Sequence, residues 1–298
     1  ANHLKILQPD GTLADTLGRK GGGPGEFRQL IGVQVARGDS IYAFDARQSR
    51  ITVFGAGASR RMSRTINIPR ERGYPVQVQV LDESFAAEFG SMSPPEEGVS
   101  RPSPRTWMMM GPGGVPKDTV LHTPGNLMLR TQTGEGGFRV QFIPQAPRTA
   151  TAWGPGGRLF YGWTDSLHVD ARRPGGSAVD IAHVPTQRVP LTDAGRDSLL
   201  SDYEGKIRTR MASALPDTRP AFSQIVVAQS GRLWAERPPE QVGADRTPWW
   251  VLNPAEKTIQ KVRLPSEVDL EVVQNGHAYG TITTETGAPA LVRYGVES

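Results

Sequence analysis

Cysteine is absent from the 298 residues, which excludes disulfides, thiolate catalysis, cysteine-ligated metals and haem attachment through C-x-x-C-H. That absence fits a reducing or an oxidising compartment equally. No apolar run approaches the roughly eighteen residues a membrane-spanning helix requires, and the longest candidates, such as Ile225 to Ala228, are strand-sized. Charge of one sign never accumulates. The 34 basic residues, mostly arginine, are interspersed with 30 acidic ones. The net charge of +4 and pI near 9.5 therefore describe a dispersed surface, and no nucleic-acid stripe is evident. No G-x-S-x-G occurs, and no serine has a readable base beside it. The chain opens at Ala1 without a charged and apolar leader, so a signal peptide is expected to be absent or already removed.

What is plentiful is punctuation. The 34 glycines and 25 prolines explain an apolar content of only 37%, because many short strands need many turns. The stretch from Gly18 to Phe54 sets the grammar: a glycine-rich turn closed by Pro24-Gly25-Glu26-Phe27, then runs at 30–35, 40–45 and 50–54 separated by tight polar breaks. That pattern predicts an antiparallel meander. Strands at 3–7 and 13–17 flank the turn Gln8-Pro9-Asp10-Gly11. The first unit adds 62–66, and a second holds 76–81, 84–89 and 106–110 around a surface loop from Ser91 to Pro104. Extended segments follow at 119–122, 127–131 and 138–143. A third unit spans 149–153, 159–163, 166–170 and 178–183, and a fourth 223–228, 232–237, 248–252 and 258–264. The last covers 271–274, 277–283 and 290–294, with Asn275-Gly276 as its turn. One amphipathic helix is expected near 194–214, capped by Thr192, striped by Leu199, Leu200, Tyr203, Ile207 and Met211, and ended by Pro216. A period of about 40 to 70 residues signals a propeller or array.

The motif of Gly18, the glycine run, Pro24-Gly25-Glu26-Phe27, then Gly32-Val33, Ile41-Tyr42, Asp45, Arg50-Ile51 and Val53-Phe54 resembles the NHL repeat. The likeness extends to Asn2-His3-Leu4 and Pro9-Asp10-Gly11. It is partial at Gly231-Arg232-Leu233-Trp234 and degenerate elsewhere. The resemblance implies an all-β fold, a single β-propeller over residues 1–298 with four-stranded antiparallel blades, similar to uncharacterised bacterial six-bladed propellers, many of them exported. Four full units plus a blade shared by the termini leave five or six blades open, six being what the resemblance implies. The strands at 3–17 lack the two inner strands that would precede them in a blade. They are expected to pair with the strands at 268–296 and close the ring, unless a preceding segment is missing.

Little chemistry is readable. The glycine loop is followed by neither a helix nor a Lys-Ser/Thr pair, so the phosphate-cradle reading gives way to a blade connector with Phe27 packed beneath it. His3, His122, His168, His183 and His277 are scattered without H-x-H or helical spacing, so no metal site and no cofactor are expected. Resemblance to six-bladed lyases and lactonases keeps zinc or calcium as the alternative, with Glu26, Asp45 and Glu88 as acidic candidates. The six tryptophans sit on expected strands, where the propeller resemblance implies that an aromatic packs between neighbouring sheets, with Trp249-Trp250 the exception. Trp249-Trp250 must face opposite ways, so this pair is the first candidate for an exposed contact, with Trp107 in the apolar run TWMMM beside it.

The expected function is that of a non-enzymatic binding or scaffold module. It would be an extracytoplasmic (periplasmic or secreted) accessory subunit that holds a protein partner through the insertions at 91–104, 123–148 and 185–220. The alternatives are a metal-dependent hydrolase or lyase of the six-bladed class and, less favoured, an RNA-binding domain.

Overall fold

The computed structural model describes residues 2–36, 38–57, 61–81, 84–91, 96–100, 104–133, 136–239 and 243–296. The chain forms two compact units, Ala1–Pro94 with Pro104–Thr123, and Pro95–Ser103 with Pro124–Ser298. It has the all-β class expected: a mostly β chain of antiparallel meanders, several of them four-stranded, with two short helices.

In the first unit, β1 (Leu4–Leu7) and β2 (Leu13–Leu17) pair around a turn in which Asp10 accepts the Thr12 N–H at 2.9 Å. Two short segments, β3 (Arg19–Lys20) and β4 (Glu26–Phe27), bracket the glycine loop. Then β5 (Leu30–Val35), β6 (Ile41–Asp45), β7 (Arg50–Phe54) and β8 (Met62–Asn67) form a four-stranded meander. The middle strands β6 and β7 are buried almost throughout, because packing on both faces removes the need for alternation. The flanking strands β5 and β8 are far more exposed. Gly18 shows why this corner needs its residue. Its φ is +79°, and a Cβ there would lie 2.3 Å from the ring of Phe27, which is fully buried. The second sheet joins β9 (Tyr74–Leu81), β10 (Ser84–Gly90), β12 (Arg105–Met110) and β13 (Pro116–Thr123) in the order 13-12-10-9. TWMMM therefore returns to this sheet as expected, and Met108 and Met110 enter a core with Phe44, Ile51, Phe85 and Phe89.

The interruption in that order is β11 (Gly98–Ser100), which belongs to the second unit. Residues 92–95 and 101–103 of the expected surface loop lie outside the described residues, but 98–100 are a strand and not a loop. Val99 pairs with Leu129, and the Ser100 hydroxyl donates to the Met128 carbonyl at 3.2 Å. Such a long-range ladder leaves no local pattern in a Ser- and Pro-rich stretch. β11 pairs with β14 (Met128–Thr133), and β14 with β15 (Gly137–Phe142). Two further meanders are β16 (Thr149–Gly154), β17 (Arg158–Trp163), β18 (Leu167–Arg172) and β19 (Ala178–Val184), then β20 (Ile225–Val227), β21 (Leu233–Glu236), β22 (Arg246–Asn253) and β23 (Thr258–Pro265). A three-stranded sheet, β24 (Asp269–Gln274), β25 (His277–Thr283) and β26 (Pro289–Gly295), ends the chain.

The expected helix is divided into α1 (Asp193–Leu199) and α2 (Gly205–Ala214). Thr192 caps α1 as its sequence suggested, its hydroxyl accepting the Gly195 N–H at 3.2 Å. Gly205 has φ +53°, a left-handed conformation that a continuous right-handed helix cannot pass through. The apolar stripe still holds. Leu200 and Met211 are buried with Leu129, Ile143, Leu191 and Leu215, while Leu199 and Tyr203 pack against them.

Candidate functional site

Within the second unit, the first strands of three successive sheets, β16, β20 and β24, lie side by side. The Gln224 side-chain amide at the head of β20 reaches the Leu270 carbonyl of β24 at 3.4 Å. Just before β16 and β20 the backbone is locked by a polar knot. The Thr164 hydroxyl, wholly buried, accepts the Arg148 N–H at 2.9 Å, and the Thr164 carbonyl accepts the Ala221 N–H at 2.7 Å. The exposed guanidinium of Arg148 then reaches across to the Ser223 carbonyl at 3.0 Å.

Ser223 faces the end of β21. Its hydroxyl donates to Glu236 Oε2 at 2.6 Å, and its N–H donates to the Glu236 carbonyl at 3.0 Å. Burial pushes the Glu236 carboxyl above its ordinary value. The Ser223 hydrogen bond and the Arg148 charge pull it back, and Asp269 adds to the rise. Next to it stand two buried cations. Arg219, 9% exposed, donates to the Pro239 carbonyl at 2.9 Å. Arg237, 8% exposed, donates to the Ala221 carbonyl and stacks over the Trp250 ring at 4.6 Å. Burial lowers the proton affinity of Arg237. Among the described residues neither guanidinium has a carboxylate as ion-pair partner.

Two clefts open here, each of about 270 Å³, and they share Gln145, Pro220 and Ser223 as walls. One adds Arg148, Phe142 and Pro144, and the other Arg219, Glu236 and Arg237 beside α1. A larger groove of about 830 Å³ lies between the sheets β20–β23 and β24–β26, lined by Trp234, Val251, Leu264 and Tyr294. Among the described residues its lining contains no carboxylate.

The sequence-derived site residues separate sharply. Trp107 and Trp249 are 0% and 1% exposed, core residues that offer a partner no surface. Trp250 does face the other way from Trp249. It is half-buried against the β16–β23 core, with Arg237 on its ring and the Lys261 ammonium 5.3 Å from its centroid. The three acidic candidates are not gathered into a ligand set. Glu26 accepts the Gly23 N–H at 2.8 Å and pairs with Arg19 at 2.9 Å. Asp45 accepts three backbone N–H groups and the Gln48 amide, and Glu88 pairs with Arg105 at 3.0 Å. Of the histidines, His168 and His183 do meet, across β18 and β19, with Asp170 and Asp180 beside them. Sequence reasoning passed over Ser223, Glu236, Arg219 and Arg237. The only signal was a polar residue at each end of two facing strands, which any hairpin can show.

No protein-family model matches the chain, and no curated protein sequence is similar enough to count as a relative. Solved structures are similar. A proposed exported protein of Bacteroides fragilis shares 12% identity at a TM-score of 0.51, covering 94% of this chain and 74% of that one. A Bacteroides caccae protein of unknown function gives 12% and 0.47, covering 99% and 86%, and a streptogramin B lyase gives 10% and 0.42, covering 100% and 77%. The first likeness speaks to fold alone, and the other two are too loose to carry an argument.

Proposed function

We propose that this protein is a binding module: a propeller of NHL type, most simply six-bladed, that holds a protein partner at the paired clefts around Ser223. The observation that carries this reading is the pair of buried guanidiniums, Arg219 and Arg237, which among the described residues have no carboxylate as ion-pair partner, in the walls of a cleft of about 270 Å³. That volume is just under the range of roughly 300–1,000 Å³ that small-molecule sites occupy. It suits one side chain in each cleft. Two buried guanidiniums against the single described carboxylate of that cleft, Glu236, favour an acidic side chain, and exposed Arg148 supplies a rim contact for the same group. Trp250 beside Arg237 adds an aromatic anchor of the kind enriched at interaction hot spots. An extracytoplasmic location belongs to the same proposal, supported by the description of the Bacteroides fragilis protein as exported.

A photo-crosslinking residue at Gln145 tests the reading in cells of the native source. A partner should be captured there, should be lost with Arg148→Glu, and should not be captured from exposed Leu13. Equal capture at Leu13, or capture indifferent to Arg148→Glu, would overturn it.

A hydrolase or lyase is the second reading, favoured by the raised proton affinity of Glu236 and its short bond from Ser223. Under that reading Glu236→Gln abolishes turnover. Under the first it leaves partner capture intact.

A further inference from the structure

The outer hairpin of the β16–β19 sheet brings four ionisable side chains together. His168 pairs with His183 across β18 and β19, and Asp170 pairs with Asp180. The spacing on the two strands differs. His168 and Asp170 are two apart and share a face in any regular strand, but Asp180 and His183 are three apart and would point to opposite faces. A bulge resolves this. Val169 pairs with Ala182 and Asp170 with Asp180, so Ile181 is the extra residue, and its insertion turns Asp180 to the face that His183 occupies. The local ladder is interrupted to put the four groups side by side.

The geometry they adopt fits an ion. His168 Nε2 lies 3.5 Å from Asp170 Oδ1 and 3.8 Å from Asp180 Oδ1, and one donor atom from each of the three falls within 4.8 Å of the others. Tetrahedral coordination at bonds of about 2.0–2.1 Å needs donors about 3.4 Å apart. Two of the three gaps are within about half an ångström of that value. The His183 ring stacks on His168 at 5.1 Å and 27°, which fixes the plane of the liganding imidazole. The two carboxylates repel one another on this face, and a cation between them removes that cost. An imidazole in the set disfavours calcium and magnesium, which take oxygen ligands, and favours a first-row transition ion.

We propose that His168, Asp170 and Asp180 form a site for a divalent ion of the zinc class, with the remaining coordination position open to solvent. The site stands on the outer strands β18 and β19 and shares no residue with the clefts around Ser223, so each proposal can fail alone.

Titration of the metal-stripped protein with Zn²⁺ alone, followed by calorimetry and by the melting temperature, tests it. One equivalent should bind and raise the melting temperature. His168→Ala and Asp180→Asn should each weaken binding by about tenfold or more, and in the absence of metal Asp180→Asn should leave the melting temperature at or above that of wild type, since it removes the carboxylate repulsion. His122→Ala should behave as wild type, and Ca²⁺ should give no comparable binding. If wild type takes up no zinc, or if both variants bind it as tightly as wild type, the assignment is wrong.

Discussion

Asp45 and Glu236 are both carboxylates at strand ends, and the fold treats them oppositely. Asp45 is wholly buried, and burial alone would raise its proton affinity. The Gln48 side chain and the N–H groups of Arg28, Gln48 and Gln29 donate to it and outweigh that term, so it is held below its ordinary value of 3.8. Its charge is consumed in tying the glycine-loop exit to the β6–β7 turn. Glu236 receives one hydroxyl, and burial wins, so it is held above its ordinary value of 4.5. A carboxylate saturated by backbone donors is a structural tie. One left short of donors among buried cations is available to something else.

The largest expected effect breaks the tie. Asp45→Ala leaves three backbone N–H groups without their acceptor and should cost about 3 kcal/mol in urea unfolding. Because its folded pKa is depressed, the stability Asp45 contributes is present above 3.8 and is lost as pH falls through the folded value. The variant should therefore show a flatter acid limb, and a limb as steep as wild type would refute the role. Next is Gly18→Val, which strains a φ of +79° and drives a side chain into Phe27. A loss of about 2 kcal/mol is expected in the same assay. Trp250→Ala should cost about 1.5 kcal/mol through lost packing and the stack under Arg237. An equal loss in an Arg237→Met background would show that the stack adds nothing.

The smallest effect is the one that sharpens the contrast. Glu236 has a raised folded pKa, so its stabilising contribution is full below 4.5 and is lost as pH rises through the folded value. Glu236→Gln mimics the protonated form permanently. At pH 7 it should leave stability unchanged or raise it by about 0.5 kcal/mol, and it should flatten the decline above pH 4.5 that wild type is expected to show in thermal melts. Destabilisation of the size expected at Asp45 would make Glu236 a structural tie as well.

Most strands were legible because each is bounded by turn chemistry that acts locally. Pro9-Asp10-Gly11, Asn275-Gly276 and the glycine loop over Phe27 each fix backbone angles within a few residues. β11 was not legible, since its only reason to be extended is β14, some thirty positions away in the chain. The break between α1 and α2 rests on one glycine whose angle the apolar stripe conceals. The cleft residues share this character. Ser223 and Glu236 are ordinary strand-end residues until β20 and β21 are paired. His168-Val169-Asp170 and Asp180-Ile181-Ala182-His183 almost mirror one another around a hairpin, but the extra residue hides the symmetry until a bulge is allowed for.

By itself the sequence determined the repeating meander, its corners, the helical cap at Thr192 and the opposed faces of Trp249 and Trp250, because steric limits on glycine and proline and the two-residue period of a strand are local physics. Tertiary structure decided which of Trp249 and Trp250 keeps a surface, which carboxylate is saturated and which is raised above its ordinary value by burial, and which histidines meet. Burial and cross-strand register sum contributions from residues far apart in the chain, and no window of sequence contains them.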